Sequence, residues 1–130
     1  MTGVQTCALP ISQGTARTGE PTYLYQFTRV LPGGESLGAF HSAEIGYVFA
    51  TKETWLPLEP VDYTLSDQMQ RYWVQFATTG DPNVAGLPAW PRYDITSDRH
   101  LELGTTLATS AGLTKETCDL VQTALRGQLR

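Results

Sequence analysis

The chain has 130 residues, of which 41% are hydrophobic and 17% are charged, and its formal net charge is −4. This length suits one modest domain, and the composition is ordinary for a globular protein and too apolar for a disordered one. The acidic balance and the lack of any Lys/Arg cluster argue against a nucleic-acid groove. No apolar run is long enough to span a bilayer.

The first twelve residues, MTGVQTCALPIS, raise the question of a targeting segment. They carry no Lys or Arg, and their short apolar run ends at Pro10, so they do not fit a secretory signal peptide. The string resembles the conceptual translation of a sequencing adapter and has no helical or strand period. We therefore expect residues 1–12 to be non-biological and disordered, and the natural protein to begin upstream of residue 13. Only Cys118 then counts as a cysteine, which leaves the redox compartment undetermined.

The first structural signal is a strand. Residues 22–30, TYLYQFTRV, are rich in aromatic and β-branched residues and alternate weakly, which predicts a strand buried on both faces. Pro and Gly residues then mark a loop over residues 31–40. Residues 41–50 become apolar toward their end, which is compatible with a brief helix, although Gly46 weakens this prediction.

A helix over residues 65–80 is the clearest element. Its apolar stripe has helical spacing and consists of Met69, Tyr72, Trp73 and Phe76. Two N-caps fit the pattern, either Ser66 or Thr64 with Asp67. Gly80 stands where a left-handed C-cap is expected.

The remaining sequence is less regular. Residues 81–94 form a Pro/Gly-rich excursion that Trp90 is predicted to anchor, and residues 99–104 read as a short edge strand. Residues 113–130 predict an amphipathic helix, with Thr114 as cap and a stripe of Cys118, Val121 and Leu125. A lone strand buried on both faces needs other strands beside it and helices to cover it. The pattern therefore predicts an incomplete α/β domain, the edge of a larger sheet whose other strands lie upstream.

His41 is the candidate catalytic residue. It follows a predicted strand and a Gly-rich loop, a position from which a general base can reach a nucleophile. Glu44 would lie beside it on one face if the segment turns helically. On position alone, a structural or surface histidine is the more common alternative.

Four stretches change this balance: YLYQF, GAFHSAEIGYVF, LSDQMQRYWVQFATTGDPN and LPAWPRYD. In this order and spacing they resemble the C-terminal region of type B carboxylesterases, which have the α/β-hydrolase fold and are related to cholinesterases. The resemblance implies a late sheet strand, a catalytic-His loop and flanking helices over residues 13–130. It also implies that His41 is the triad base, with Gly38 and Glu44 as supporting residues. The family usually has Pro where this chain has Gly46, which would loosen the turn after the His.

The resemblance also implies partners for His41. The triad order in this fold is Ser, then Asp or Glu, then His, with the Ser on a nucleophile elbow. The string GGES at 33–36 stands just before the His, the wrong place in that order, so we expect the Ser and the acid to lie upstream. The parent protein is then expected to hydrolyse small carboxylic esters without a cofactor, and the isolated chain is expected to be inactive.

Other functions fit the residues less well. A non-catalytic interaction module of the same fold is the main alternative, and a segment with no stable fold of its own is another. The H-x-x-E string at 41–44 lacks a second nearby His, so we predict no metal site, and His100 is expected to face solvent.

Overall fold

The computed structural model describes residues 9–51, 57–113, 120 and 123–124. Its helices and strands, in chain order, are α1 (Leu9–Arg17), β1 (Tyr25–Phe27), α2 (Ile45–Val48), α3 (Pro60–Thr79), β2 (Arg99–Leu103) and β3 (Leu107–Ala111). The helix predicted over residues 113–130 falls almost wholly outside the described residues. Within the described part of the chain, no helix is both long and apolar enough to cross a membrane.

The three strands form one mixed sheet in the order β1-β2-β3. β1 runs parallel to β2, with Tyr25 opposite Leu101, and β2 runs antiparallel to β3, with Leu101 opposite Thr109. The predicted strands at 22–30 and 99–104 are therefore confirmed, although β1 is shorter than its segment. The predicted burial of the first strand on both faces is wrong, because all three residues of β1 are half-buried. The prediction that 99–104 is an edge strand is wrong, because β3 covers its other side. β3 is built from Leu, Ala, Thr and Ser, and such small side chains give little strand signal.

α3 begins five residues earlier than the periodicity indicates. Its N-cap is Glu59, Pro60 follows at the first helical position, and Asp62 accepts a hydrogen bond from the Glu59 backbone N–H at 2.7 Å. Both predicted N-caps are wrong. Ser66 instead lies inside the helix, buried, and its hydroxyl donates to the Tyr47 carbonyl at 2.8 Å. Proline suits this first position because its missing N–H has no helical partner there, and its fixed φ matches the helix.

The predicted end of α3 is confirmed. Gly80 is the C-cap at φ 77°, and its N–H donates to the Phe76 carbonyl at 2.8 Å. This left-handed conformation costs glycine little because it has no Cβ. The stripe is confirmed at Met69 and Tyr72, which are both 0% exposed, whereas Phe76 is 47% exposed and lies at the rim.

One face of the sheet packs against α3. Leu101 and Leu103 of β2 meet Met69 and Tyr72 there, and Trp90 joins the same core from the 81–94 excursion. The indole N–H of Trp90 donates to the Leu24 carbonyl at 2.9 Å, so Trp90 anchors the excursion to the sheet. The helices, the sheet and the 81–94 excursion of the described chain therefore form a hydrophobic core together, with β2 at its centre.

The opposite face carries a smaller cluster near α1. Leu24 and Tyr93 are buried there, with Ala16 of α1 packed against them. Residues 9–12, which the sequence predicts to be disordered, form the first part of α1, and residues 1–8 lie outside the described residues. His100 lies next to Leu101 in β2. The prediction that it faces solvent is wrong, because it is only 2% exposed.

Candidate active site

His41 lies on an exposed turn between β1 and α2. Two residues with left-handed backbone flank it, Gly38 at φ 62° and Ser42 at φ 72°. The turn continues through hydrogen bonds from the Ala43 N–H to the Phe40 carbonyl at 3.1 Å and from the Ile45 N–H to the Ser42 carbonyl at 3.2 Å. An L-residue such as Ser42 rarely adopts a positive φ, and such outliers cluster at functional sites. The turn leaves the His41 side chain accessible to a partner arriving from solvent.

Glu44 lies three residues after His41, at the N-cap of α2. Its backbone carbonyl accepts hydrogen bonds from the N–H groups of Tyr47 and Val48, at 3.0 and 3.1 Å. Its side chain makes no capping hydrogen bond and none to His41. Burial raises the pKa of the Tyr25 phenol, and the charge of Glu44 raises that pKa further. Glu44 therefore acts as the N-cap residue of α2 and as a charge near Tyr25 of β1.

A buried ion pair lies beneath this turn. Asp62, at 2% exposure, accepts hydrogen bonds from Arg29 Nε at 2.7 Å, Arg29 Nη2 at 3.0 Å and the Tyr47 hydroxyl at 2.7 Å. Arg29 Nη2 also donates to Glu59 Oε2 at 2.7 Å. Bidentate charge-assisted bonds of this kind are among the strongest in proteins. The cluster joins the chain after β1, α2 and the first turn of α3 at a single carboxylate.

The electrostatics of the cluster favour its ionised form. Burial on its own would raise the pKa of Asp62, but the hydrogen bonds from Arg29, the Glu59 backbone and Tyr47 outweigh it, so that pKa is lowered. The hydrogen bonds to Asp62 raise the pKa of Arg29 despite burial. Burial first, and then the hydrogen bond to Asp62, raise the pKa of Tyr47. The ion pair is therefore charged throughout the neutral range.

Arg29, Tyr47 and Asp62 are not among the site residues that the sequence predicts. One signal for Asp62 exists, since Glu-Pro-x-Asp ahead of an apolar helix is typical of a capped N-terminus. Nothing local indicates Arg29, which lies 33 positions from its carboxylate partner. The ion pair is a long-range contact, and it forms only when β1 and α3 pack together.

A cavity of about 50 Å³ lies between the His41 loop and α3. Gly38 lines it, whereas His41 and Glu44 do not. Its walls are mainly apolar, and the side chains named here are Phe27, Leu31, Phe40, Leu58 and Tyr63. Arg29 and Asp62 form its polar end. The cavity is close to the size of one or two water molecules and is too small for an ester substrate.

Ser36 needs a separate test, because residues 34–38 spell G-E-S-L-G and match the nucleophile-elbow pattern in spacing as well as type. The sequence pattern therefore does not exclude Ser36 as a nucleophile, so its backbone geometry must be compared with that of an elbow. An elbow places its serine on a strained turn between a strand and a helix. Ser36 instead lies in a loop turn closed by the Gly38 N–H to the Gly34 carbonyl at 3.0 Å, and it is not among the residues with positive φ. This arrangement is not a nucleophile elbow.

The two histidines do not form a metal centre. Among the described residues, no group of three or more His, Cys, Asp or Glu side chains is placed to hold a metal ion. His41 is on the exposed turn, whereas His100 is buried in β2 with neither ring nitrogen hydrogen-bonded to a described residue. The second histidine therefore does not join the first in one site.

Comparisons with known proteins address the family and the fold. The sequence matches the carboxylesterase family over residues 3–121. It is 37% identical to carboxylesterase 4A of Bos taurus over 75% of this chain and 18% of that protein. It is 36% identical to the acetylcholinesterase of Gallus gallus over 85% of this chain and 15% of that protein.

Two solved structures share the fold. An esterase from Clostridium hathewayi that can hydrolyze aliphatic aromatic polyesters aligns with a TM-score of 0.72 at 24% identity, over 79% of this chain and 21% of that one. The carboxylesterase of Geobacillus stearothermophilus aligns with a TM-score of 0.66 at 28% identity, over 78% of this chain and 22% of that one. The chain thus spans about a fifth of these relatives and has part of their α/β-hydrolase fold. On the match to residues 3–121, this chain belongs to the carboxylesterase family.

Proposed function

We propose that this chain supplies the general base, His41, of a serine carboxylic ester hydrolase. His41 takes the proton from a serine hydroxyl as the serine oxygen bonds to the ester carbonyl carbon, and it returns that proton to the leaving alkoxide. It then activates the water that releases the acid from the acyl-enzyme. The observation that carries the proposal is the exposed His41 turn in the connection between parallel strand β1 and α2.

The other two triad members are proposed to come from outside these 130 residues. Ser36 is the single serine here in a G-x-S-x-G string, and its loop turn differs from an elbow. A triad acts as a unit, so a base without its nucleophile and acid contributes little. The isolated chain is therefore proposed to be inactive, with Gly38 and Glu44 shaping the turn rather than reacting.

The first experiment assays the isolated chain with p-nitrophenyl acetate, with and without a serine-directed fluorophosphonate inhibitor. We expect no turnover that the inhibitor blocks. The matched control is Ser36→Ala, which removes the one serine that the sequence pattern singles out. Inhibitor-sensitive turnover that disappears in Ser36→Ala would show that the chain carries its own nucleophile.

The second experiment tests His41 directly in a chimera. The region of the Geobacillus stearothermophilus carboxylesterase that aligns with this chain is replaced by residues 13–130. We expect His41→Gln to lower kcat by about 10²- to 10⁴-fold, the usual contribution of a general base. Asp67→Asn, an exposed change on α3, should leave kcat unchanged. A folded chimera in which both variants keep the parental kcat contradicts the proposal, and a folded but inactive chimera favours the non-catalytic interaction module.

A further inference from the structure

We propose that Asp62 is a positioning residue for His41, a single buried carboxylate that holds both ends of the loop that carries the base. The inference rests on the proposed role of His41. The loop, residues 28–44, connects β1 to α2, with Arg29 near its first end and Tyr47 in α2 just beyond its second end. Both of these flanking residues donate hydrogen bonds to the same carboxylate.

The contacts at the two ends are complementary. Arg29 binds Asp62 through two nitrogens, and Tyr47 donates to Oδ1, the oxygen that Arg29 Nε also uses. Asp62 is itself fixed by the Glu59 backbone N–H in the first turn of α3. Its side chain is 1% exposed and that of Arg29 is 9% exposed, so water competes little for these bonds. A buried carboxylate with four hydrogen bonds has one allowed position, and both loop ends share it.

The interior of the loop has few other restraints. Its backbone hydrogen bonds are local turns, such as the Gly34 N–H to the Leu31 carbonyl and the Ala43 N–H to the Phe40 carbonyl. Local turns shape the loop but do not fix its position relative to the sheet. Phe40 and Ala43 pack beside the cavity, and apolar contacts of this kind are not directional. The ion-pair cluster is therefore the directional link to the rigid helix α3 that reaches both ends of the loop.

Ser66 provides a second link, but only at one end. Its hydroxyl donates to the Tyr47 carbonyl at 2.8 Å, and this bond does not involve Asp62. Loss of the Asp62 carboxylate should therefore release the Arg29 end of the loop fully and the Tyr47 end partly. The sheet and the core around Met69 do not contact this carboxylate through any hydrogen bond. We expect a local change in the loop rather than unfolding of the whole chain.

The test uses the full 130-residue chain and NMR, with Asp62→Asn as the variant and Asp67→Asn as the matched control. Asp67 lies on the same helix and is exposed. In Asp62→Asn, we expect amide hydrogen exchange of Ala43 and Ile45 to rise by at least about tenfold, since local opening becomes easier. Exchange of the Leu101 amide, which bonds to the Leu24 carbonyl, should change less than about threefold.

A second readout reports on the base itself. The ¹H–¹³Cε1 signal of the His41 ring should shift or broaden in Asp62→Asn and stay in place in Asp67→Asn. Asp62→Glu, which keeps the charge on a longer side chain, should restore part of the parental signal. If Asp62→Asn does not fold, Tyr47→Phe removes one bond of the cluster and should still speed exchange at Ile45.

Unchanged loop exchange and an unchanged His41 signal in a folded Asp62→Asn or Tyr47→Phe variant would overturn the proposal. An equal rise at Ala43 and Leu101 would also overturn it, because it would assign Asp62 to global stability alone. Neither readout involves ester hydrolysis, so a failure here is separate from a failure of the chimera assay. In the active chimera, Asp62→Asn should lower kcat by about tenfold with KM little changed, since a misplaced base slows chemistry without removing binding contacts.

Discussion

Replacement of Trp90 tests the account of the core most sharply. The indole ring contacts four aromatic rings, at centroid distances of 6.3 Å to Tyr23, 5.9 Å to Tyr25, 5.4 Å to Tyr72 and 5.5 Å to Trp73. Three of these pairs are edge-to-face, the arrangement that the ring quadrupole favours. Trp90 is therefore the point at which the 81–94 excursion, β1 and α3 meet.

The cost of Trp90→Phe follows from two losses. The hydrogen bond to the Leu24 carbonyl disappears, but that carbonyl still accepts from the Leu101 N–H at 3.0 Å, so it is not left unpaired and the loss is about 1 kcal/mol. The smaller ring also leaves part of the space among its neighbours unfilled, which adds about 1–2 kcal/mol. We expect about 2–3 kcal/mol for Trp90→Phe and about 4–5 kcal/mol for Trp90→Ala.

Urea unfolding followed by far-UV circular dichroism measures these values. Trp73→Phe is the matched control, because Trp73 is half-buried and makes ring contacts with Tyr25 and Trp90 alone. It should cost about 1 kcal/mol. A loss below about 0.5 kcal/mol for Trp90→Phe, or a larger loss for Trp73→Phe, would refute the assignment of Trp90 as the anchor.

Three further predictions concern other elements. The lowered pKa of Asp62 adds stability that is complete above about pH 4 and is lost as the pH falls through the pKa of the folded state. The melting temperature should therefore decrease when the pH is lowered below about 4, and Asp62→Asn should make it less dependent on pH. Gly80→Ala, at a left-handed position, should cost about 1 kcal/mol, whereas Gly14→Ala, inside α1 with no atom within 4 Å of the new Cβ, should stabilise by about 0.5–1 kcal/mol, both measured by urea unfolding. Tyr93→Phe removes the hydroxyl that donates to Asp98 Oδ1 at 2.9 Å and leaves a buried carboxylate unpaired, so thermal unfolding should show a loss of about 2 kcal/mol, and no loss would contradict that bond.

The elements that the sequence predicts correctly are those with a local cause. The helix stripe at Met69 and Tyr72 follows from the 3.6-residue period, and Gly80 ends the helix because its conformation suits glycine. β3 could not be found in this way, because its residues neither alternate strongly nor carry bulky side chains. The wrong prediction that β2 is an edge strand has the same cause, because a strand whose second neighbour is not recognised looks like an edge.

Burial was harder to predict than secondary structure. His100 lies on a strand at a position that alternation alone leaves undecided, and its burial depends on tertiary packing that the local sequence does not show. α1 itself includes residues 9–12, where no period was evident and where the nine-residue helix begins with Leu-Pro. Tertiary contacts decide such short helices, because isolated helices of this length are marginal in water.

For the candidate site, the sequence yields the proposed base, His41, but not the residues that support its loop. His41 stands out through its neighbours in the chain and the family resemblance, and the structure places it on the expected turn. Its link to the fold passes through Arg29 and Asp62, which are 33 positions apart and give no joint signal. Chain order predicts that Ser36 is not the nucleophile, although its string has the right spacing. The backbone geometry agrees, because Ser36 does not lie on an elbow turn.

These observations meet in the first turn of α3. Asp62 accepts the Glu59 N–H, which helps to start the helix, and the same carboxylate holds Arg29 and Tyr47. Fraying of that turn would therefore move the carboxylate and release the His41 loop at once. The later turns of α3 are fixed independently, because Met69 and Tyr72 are fully buried. The rigid half of the helix thus limits how far the first turn can move. Under the role proposed for Asp62, the position of His41 depends on helix capping as well as on its own loop.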